Sequence, residues 1–387
     1  MKQGNAVLSG LGTTVFESMS RLAAEHRAVN LGQGFPDDKG PEDMLRIAAD
    51  AVVDGWNQYP SMMGVPELRQ AVARHENRFY GLDVDWQREV MVTSGATEAL
   101  AGALLALIEP GDEVILFQPM YDAYAPLVRR AGGVPRYVTL TPPDWRLDIA
   151  AVKAAVGPAT KAILFNNPLN PAARVFGEPE LRDLADLVVV NDLFAICDEV
   201  YEHIVFDGRR HIPLITLPGM RERTIKIGSA GKTFSLTGWK VGYITAAPEL
   251  LSILAKAHQY LTFTTPPGLQ TAVAHGLEKD DGYFDGLAQE MQRRRDRLTE
   301  GLRRTGFTVL PCEGTYFVNI DLSDAASVDD VTYCRRMTEE AGVTSIPVSA
   351  FCPENPVTTV ARFCFAKQDR VLDEAVDRLA RWRDSMG

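Results

Sequence analysis

From about residue 88 to residue 246, short β-rich apolar runs alternate with stretches whose apolar positions recur at helical spacing. The runs are 90–93 (VMVT), 113–117 (EVILF), 135–139 (PRYVT), 161–165 (KAILF), 194–197 (FAIC), 224–227 (TIKI) and 241–245 (VGYIT). Helical patterns such as 97–108 and 178–189 lie between several of them. This alternation predicts an α/β fold, with an open, mostly parallel sheet between helices.

Beyond residue 246 the pattern changes. Helical periodicity covers 249–262 and 283–305, the second carrying the run QRRRDR on a face expected to be solvated. Strand-like runs at 307–310, 315–320 and 360–365 follow, with helices near 328–341 and 369–384. That segregation predicts a smaller α+β domain. Residues 1–45 show no clear pattern and are expected to pack onto it as an arm. The predicted division is an arm and part of the small domain at 1–45, a large domain at 46–280, and the rest of the small domain at 281–387.

Composition narrows the classes. The chain has 387 residues, 46% hydrophobic and 24% charged, enough for two or at most three domains with real cores. Its net charge of −11 argues against broad binding to nucleic acid or an anionic membrane, while leaving room for a local phosphate pocket. The five cysteines, at 197, 312, 334, 352 and 364, are scattered and never spaced C-x-x-C. Neither a zinc site nor a disulfide framework is expected, which suits a reducing, cytoplasmic compartment. Met1 to Thr14 lacks a basic start followed by an apolar run, and no stretch reaches the roughly 18 apolar residues of a membrane span. The longest candidate, Ala99 to Ile108, fits a buried helix.

Ligands of open α/β sheets bind beyond the carboxyl ends of the strands. There this chain places Ser94-Gly95-Ala96-Thr97, Asn166-Asn167-Pro168-Leu169-Asn170-Pro171, Asp198-Glu199-Val200-Tyr201 and Gly228-Ser229-Ala230-Gly231-Lys232-Thr233. Gly95-Ala96-Thr97 opens a helix with small residues whose N–H groups can meet an anion, though an ordinary N-cap by Ser94 or Thr97 explains the same residues. Gly228 and Gly231 enclose two residues, too few for a phosphate-binding NTPase loop. Ser229-x-x-Lys232 lacks the partner motifs of a penicillin-binding acyl-enzyme site. The set does fit pyridoxal phosphate. Lys232 can form a Schiff base, and Asp198 can keep the pyridine nitrogen protonated. Small-residue N–H groups and Ser229 can hold the phosphate. Asn170 and Tyr201 can reach the phenolic oxygen.

GSAGKTFSLTGWKVGY (228–243) resembles the cofactor-lysine segment of class I/II aminotransferases of fold type I. NNPLNPAARVF, CDEVYEH, TSGATEAL and ARFCFAK match that family's other blocks, from about Leu31 to the C-terminal helix. NLGQGFPD, NQYPSMMGVPELR, HQYLTF and CEGTYF resemble the subgroup of kynurenine–oxoglutarate aminotransferase, glutamine transaminase K and methionine aminotransferase. The resemblance implies a two-domain fold, an amino-group transfer in two half-reactions, and a homodimer with shared sites. Carried over residue by residue, it makes Lys232 the cofactor lysine and base, Asp198 the partner of the ring nitrogen, and Tyr121 the ring-stacking residue. Tyr124 beside it reads as a packed aromatic. Gly95, Ala96, Thr97, Ser229 and Lys240 would surround the phosphate, with Tyr59 reaching it from the second subunit. Arg362 would grip the substrate carboxylate through two parallel hydrogen bonds, completed by Gly34 and Asn170.

Two positions depart from the family pattern. The usual N-P-x-G turn reads Asn170-Pro171-Ala172-Ala173, and Thr264 follows Phe263 where the mammalian kynurenine enzymes place histidine. The 260–268 segment holds no arginine for a second substrate carboxylate. Phe16, Phe35 and Phe263 instead predict an apolar side-chain pocket, hence a neutral donor: methionine, glutamine or an aromatic amino acid, kynurenine included. A cysteine-conjugate β-lyase and an N-succinyl-diaminopimelate aminotransferase would use the same lysine. A non-catalytic regulator of this fold would need a DNA-binding domain, for which the short N-terminal arm leaves no room.

Overall fold

The computed structural model describes residues 2, 4–324 and 328–386. A seven-stranded sheet runs in the order Val90–Thr93, Gly242–Ala246, Thr224–Ser229, Phe194–Asp198, Thr160–Asn166, Glu113–Gln118 and Val134–Thr139. Neighbouring strands are parallel except for Gly242–Ala246, which runs against both of its neighbours. The mostly parallel α/β sheet is therefore as the alternating runs predict. The apolar runs are strands because both faces are covered: 90–93 and 224–229 are buried at every position. One face packs on the helix Gly95–Leu107, where Leu100, Ala103 and Leu104 are buried with Val114, Ile196 and Ile225. The expectation of a buried helix there is met.

The four-stranded antiparallel sheet, in the order Ile346–Pro347, Val360–Cys364, Phe317–Asp321 and Thr308–Val309, carries the C-terminal elements. Helices Asp281–Arg304 and Asp369–Met386 pack there, burying Leu298, Leu302, Leu372 and Leu379. Met19 and Leu31 enter the same core, so the N-terminal arm is built into it.

Two expectations need correction. Residues 1–45 are not patternless: Val15–Glu25 is a helix, started by the Thr14 side chain accepting from Glu17 N–H, with Met19 and Ala23 buried. Its apolar positions 15, 16, 19, 22 and 23 do carry helical spacing. The QRRRDR run is solvated only in part: Arg293, Asp296 and Arg297 are exposed, but Arg294 and Arg295 are buried. Arg294 is 9% and Arg295 8% exposed; Arg294 pairs with Asp38 at 2.8 Å and Arg295 with Asp207 at 2.5 Å. The outer Arg293 and Arg297 reach Asp369 and Asp373 on the last helix, at 2.8 and 2.6 Å. The run clamps the helix Asp281–Arg304 to three separate parts of the chain.

Candidate active site

A cavity of about 280 Å³ opens at the carboxyl ends of the parallel strands, against the four-stranded sheet. Its wall includes Phe16, Gly34, Gly95, Ala96, Thr97, Tyr121, Asn170, Asp198, Tyr201, Ser229, Lys232, Lys240 and Arg362. Of the residues expected from sequence to hold the cofactor or the substrate carboxylate, Tyr59 alone stands outside this wall. It is 80% exposed and meets Phe263 edge-on, with ring centroids 5.4 Å apart. Phe35 and Phe263, expected beside Phe16, do not line the cavity. Both are exposed, and Phe35 lies under Lys367 instead.

Strand ends place the charges. Asp198 closes the strand Phe194–Asp198, and its Oδ2 accepts a hydrogen bond from the Tyr124 hydroxyl at 2.6 Å. Its Oδ1 lies 3.4 Å from the Val200 N–H. Burial pushes the Asp198 carboxyl up; the Tyr124 and Val200 hydrogen bonds and the charge of Lys232 pull it back. Tyr124, expected to be simple packing, is thus a polar partner of the site. Asn166, at the end of the next strand, donates to the Asp198 carbonyl at 2.8 Å and accepts from Asn170 N–H at 2.8 Å. That pair fixes the turn presenting Asn170. Within the turn Ala173 takes φ 59°, the left-handed conformation that glycine supplies in the usual motif.

Lys232 sits in the short helix Ala230–Thr233 that follows the strand Thr224–Ser229. Burial lowers its amine from the usual 10.5 to about 8, although Asp198 favours the charged form. Its Nζ donates to the Tyr316 hydroxyl at 2.7 Å.

Gly95 has φ +74°, and Ser94 makes no side-chain cap bond, so the cap explanation of this turn is not realised. A Cβ on Gly242 would lie 2.7 Å from the Gly95 carbonyl carbon and 2.8 Å from Ala96 N. Only glycine lets this strand support the helix start so closely. A Cβ on Gly95 itself would face Lys240 Nζ at 3.4 Å, so a lysine stands beside the free helix N-terminus. Free N–H groups beside an ammonium are chemistry that suits an anion.

Arg362 lies on the strand Val360–Cys364, 1% exposed. Its Nη1 donates to Asn170 Oδ1 at 2.8 Å and its Nη2 to the Gly32 carbonyl at 3.1 Å, while its Nε has no acceptor among the described residues. The guanidinium carbon lies 3.9 Å from the ring centroid of Phe317 and 5.4 Å from that of Phe16. Among the described residues no carboxylate forms an ion pair with it, and burial lowers its pKa to about 10. Burying an unpaired cation costs several kcal/mol. A carboxylate entering the cavity would offset that cost.

The sequence analysis gave no role to Tyr316, Asn166, Gln33 or Phe317. Tyr316 and Phe317 belong to CEGTYF, but their contacts come from a strand that meets the large sheet only in three dimensions. Asn166 opens the same strand-end segment as Asn170, but its part in holding the turn shows only in the folded chain.

The comparisons agree with this geometry. The family model described as aminotransferase class I and II matches residues 26–379. A probable N-succinyldiaminopimelate aminotransferase of Mycobacterium tuberculosis is 44% identical over 381 residues, covering 95% of this chain and 96% of the relative. The methionine aminotransferase of Escherichia coli is 41% identical over 372 residues, covering 96% of each chain. A solved structure from Escherichia coli, described as having a methionine aminotransferase function, superposes with TM-score 0.95 at 40% identity. That alignment covers 98% of this chain and 100% of the other.

Proposed function

The chain belongs to the class I and II aminotransferases, and on that footing we propose how its residues divide the work. It is a pyridoxal-phosphate-dependent transaminase. The cavity's donors suit that cofactor: an amine, a buried carboxylate, an aromatic face and an anion site occur in one wall. When bound, pyridoxal phosphate supplies an electron sink that lets the Cα–H bond of an amino acid ionise. Lys232 would hold it covalently, and Asp198 would pair with its ring nitrogen. Tyr121 would cover the ring. Tyr201 and the Nδ2 of Asn170, whose Oδ1 is taken by Arg362, would donate to the phenolic oxygen. Gly95, Ala96, Thr97, Ser229 and Lys240 would hold the phosphate.

Arg362 orients the substrate by its α-carboxylate, with Gly34 and Asn170 beside it. The Lys232 Nζ would take the α-proton and return it. An amine lowered to about 8 is partly neutral near neutral pH, as a base must be. The two half-reactions use the same residues in opposite directions.

We assign neutral L-amino acids as donors: methionine, glutamine, or aromatic residues including kynurenine. The observation that carries this is the cation count. Lys232, Lys240 and Arg362 are the only cations in the cavity wall among the described residues, and each already has a task. Phe16 and Phe317 add apolar surface. A second reading, an N-succinylated diamino acid, draws on the 44% identical relative. It also has a cation source in Arg21 and Arg335, in a neighbouring groove walled by the other side of the Val15–Glu25 helix. Ranking kcat/KM for methionine, glutamine, kynurenine and N-succinyl-diaminopimelate, with 2-oxoglutarate as acceptor, separates the readings. Preference for the succinylated substrate by tenfold or more would reverse the assignment. Pyruvate and ammonia from a cysteine conjugate would mark β-elimination.

Homodimer formation is part of the proposal. Trp56, Tyr59 and Tyr260 are 78%, 80% and 84% exposed, an apolar surface suited to a second copy that receives Tyr59 at its phosphate. So is the division into an arm and small-domain part at 1–45, a large domain at 46–280 and a small domain at 281–387. A cytoplasmic location fits five buried, free cysteines. No helix among the described residues is long and apolar enough to cross a membrane.

A further inference from the structure

Lys232 donates to the Tyr316 hydroxyl at 2.7 Å, and that hydroxyl donates to the Gly34 carbonyl at 2.7 Å. The direction is fixed by chemistry. A carbonyl only accepts, so the single phenolic proton goes to Gly34 and the oxygen lone pairs remain for the lysine. Tyr316 is fully buried, and its ring stands perpendicular to that of Tyr201 with centroids 5.1 Å apart. Lys232 Nζ lies 5.3 Å from the Tyr316 centroid and 5.6 Å from that of Tyr201. Gly34 is held against Tyr316 and the residue after it: a Cβ there would stand 2.9 Å from Phe317 Cζ and 3.9 Å from Tyr316 Cε2. Two residues earlier, the Gly32 carbonyl accepts from Arg362. One loop therefore holds Arg362 directly and Lys232 through Tyr316.

We propose that Tyr316 is a positioning residue, the hydrogen-bond acceptor on which the free amine of Lys232 rests, tied by its own proton to the loop that holds Arg362. This rests on Lys232 being the cofactor lysine. An oxygen acceptor is worth more to an ammonium than to an amine, so Tyr316 keeps the proton affinity of Lys232 from falling further in a buried site. The other groups facing the amine are Asp198 and Cys364, which raise its affinity, and Lys240 and Arg362, which lower it. None of these is removed by changing Tyr316 to phenylalanine.

The test is trace acylation of the cofactor-free full chain across neutral to alkaline pH, with each lysine read by peptide mapping. The Lys232 midpoint is expected near 8 in the parent chain. In Tyr316→Phe it should fall by about one pH unit, while surface lysines keep theirs. A fluorinated tyrosine at 316 keeps the ring and weakens the acceptor, so it should move the midpoint the same way by less, even if the phenylalanine variant folds poorly. An unmoved Lys232 midpoint in either folded variant overturns the proposal. Borohydride reduction of the loaded parent chain, mapped in parallel, keeps the two failures apart. Cofactor found on another lysine defeats the functional reading, whereas cofactor on Lys232 with an unmoved midpoint defeats only the role of Tyr316.

Discussion

Tyr124 gives its hydroxyl proton to Asp198 Oδ2 at 2.6 Å, in a position where both side chains are buried. This donor favours the ionised carboxylate, which burial alone would neutralise. Tyr124→Phe should raise the Asp198 pKa, so the acidic limb of the kcat profile moves toward neutrality. A loss of roughly tenfold in kcat near neutral pH is expected, the scale of one hydrogen bond to a charged group. A pH profile of the variant reads both effects.

Arg362→Lys keeps the charge and removes the planar fork. With Asn170 and Gly32 already using two of the guanidinium's donors, a point charge cannot serve them and a carboxylate together. KM for every donor should rise by about a hundredfold, with a smaller change in kcat. Equal loss in kcat and kcat/KM would mean that Arg362 acts mainly in the transition state.

Lys232 also bears on stability. Its pKa is lowered in the fold to about 8 from 10.5, so the unfolded chain binds more protons between those values. This group therefore destabilises the cofactor-free fold at low pH, and its penalty is relieved as pH rises from about 8 toward 10.5. The difference in unfolding free energy between the parent chain and Lys232→Met should shrink over that range. Paired denaturant melts at several pH values measure it.

A second buried cluster is centred on the strand Thr224–Ser229, which leads into the Lys232 helix. Lys226 Nζ is 2.8 Å from both Glu76 Oε1 and Glu202 Oε2, and all three side chains are within 1% of full burial. Lys226 is held well above its usual range by Glu202 and Glu76, against burial. Lys226→Met would leave two carboxylates without their cation and should cost about 3–5 kcal/mol. A denaturant melt checks this, with Glu76→Gln in the same background expected to recover part of the loss.

The distribution of legible and hidden features follows from what is local. VMVT, KAILF and FAIC are strands that any pattern reader finds, because burial on both faces writes continuous apolar runs. Asp198 and Asn170 follow from those strands by a rule about sheet ends. Arg362 and Tyr59 needed the family resemblance, since neither a strand arginine nor a loop tyrosine carries a local signal. The contacts of Tyr124, Tyr316 and Arg294 could not be read at all. Each depends on a partner 74, 84 or 256 residues away. QRRRDR is half solvated, as a charged run is by default, but only the fold supplies the Asp38 and Asp207 that bury Arg294 and Arg295.

The central claim is that Lys232 and Arg362 hold a cofactor and a neutral amino acid in one cavity. The most direct test is the absorbance of the loaded protein before and after L-methionine, with no oxo acid present. The account predicts that the band of the lysine-bound cofactor fades while the band of its aminated form grows, and that Lys232→Ala shows neither. A lysine-bound band that ignores methionine, glutamine and kynurenine alike would contradict the substrate assignment. Absence of any such band after incubation with pyridoxal phosphate would contradict the reading of Lys232.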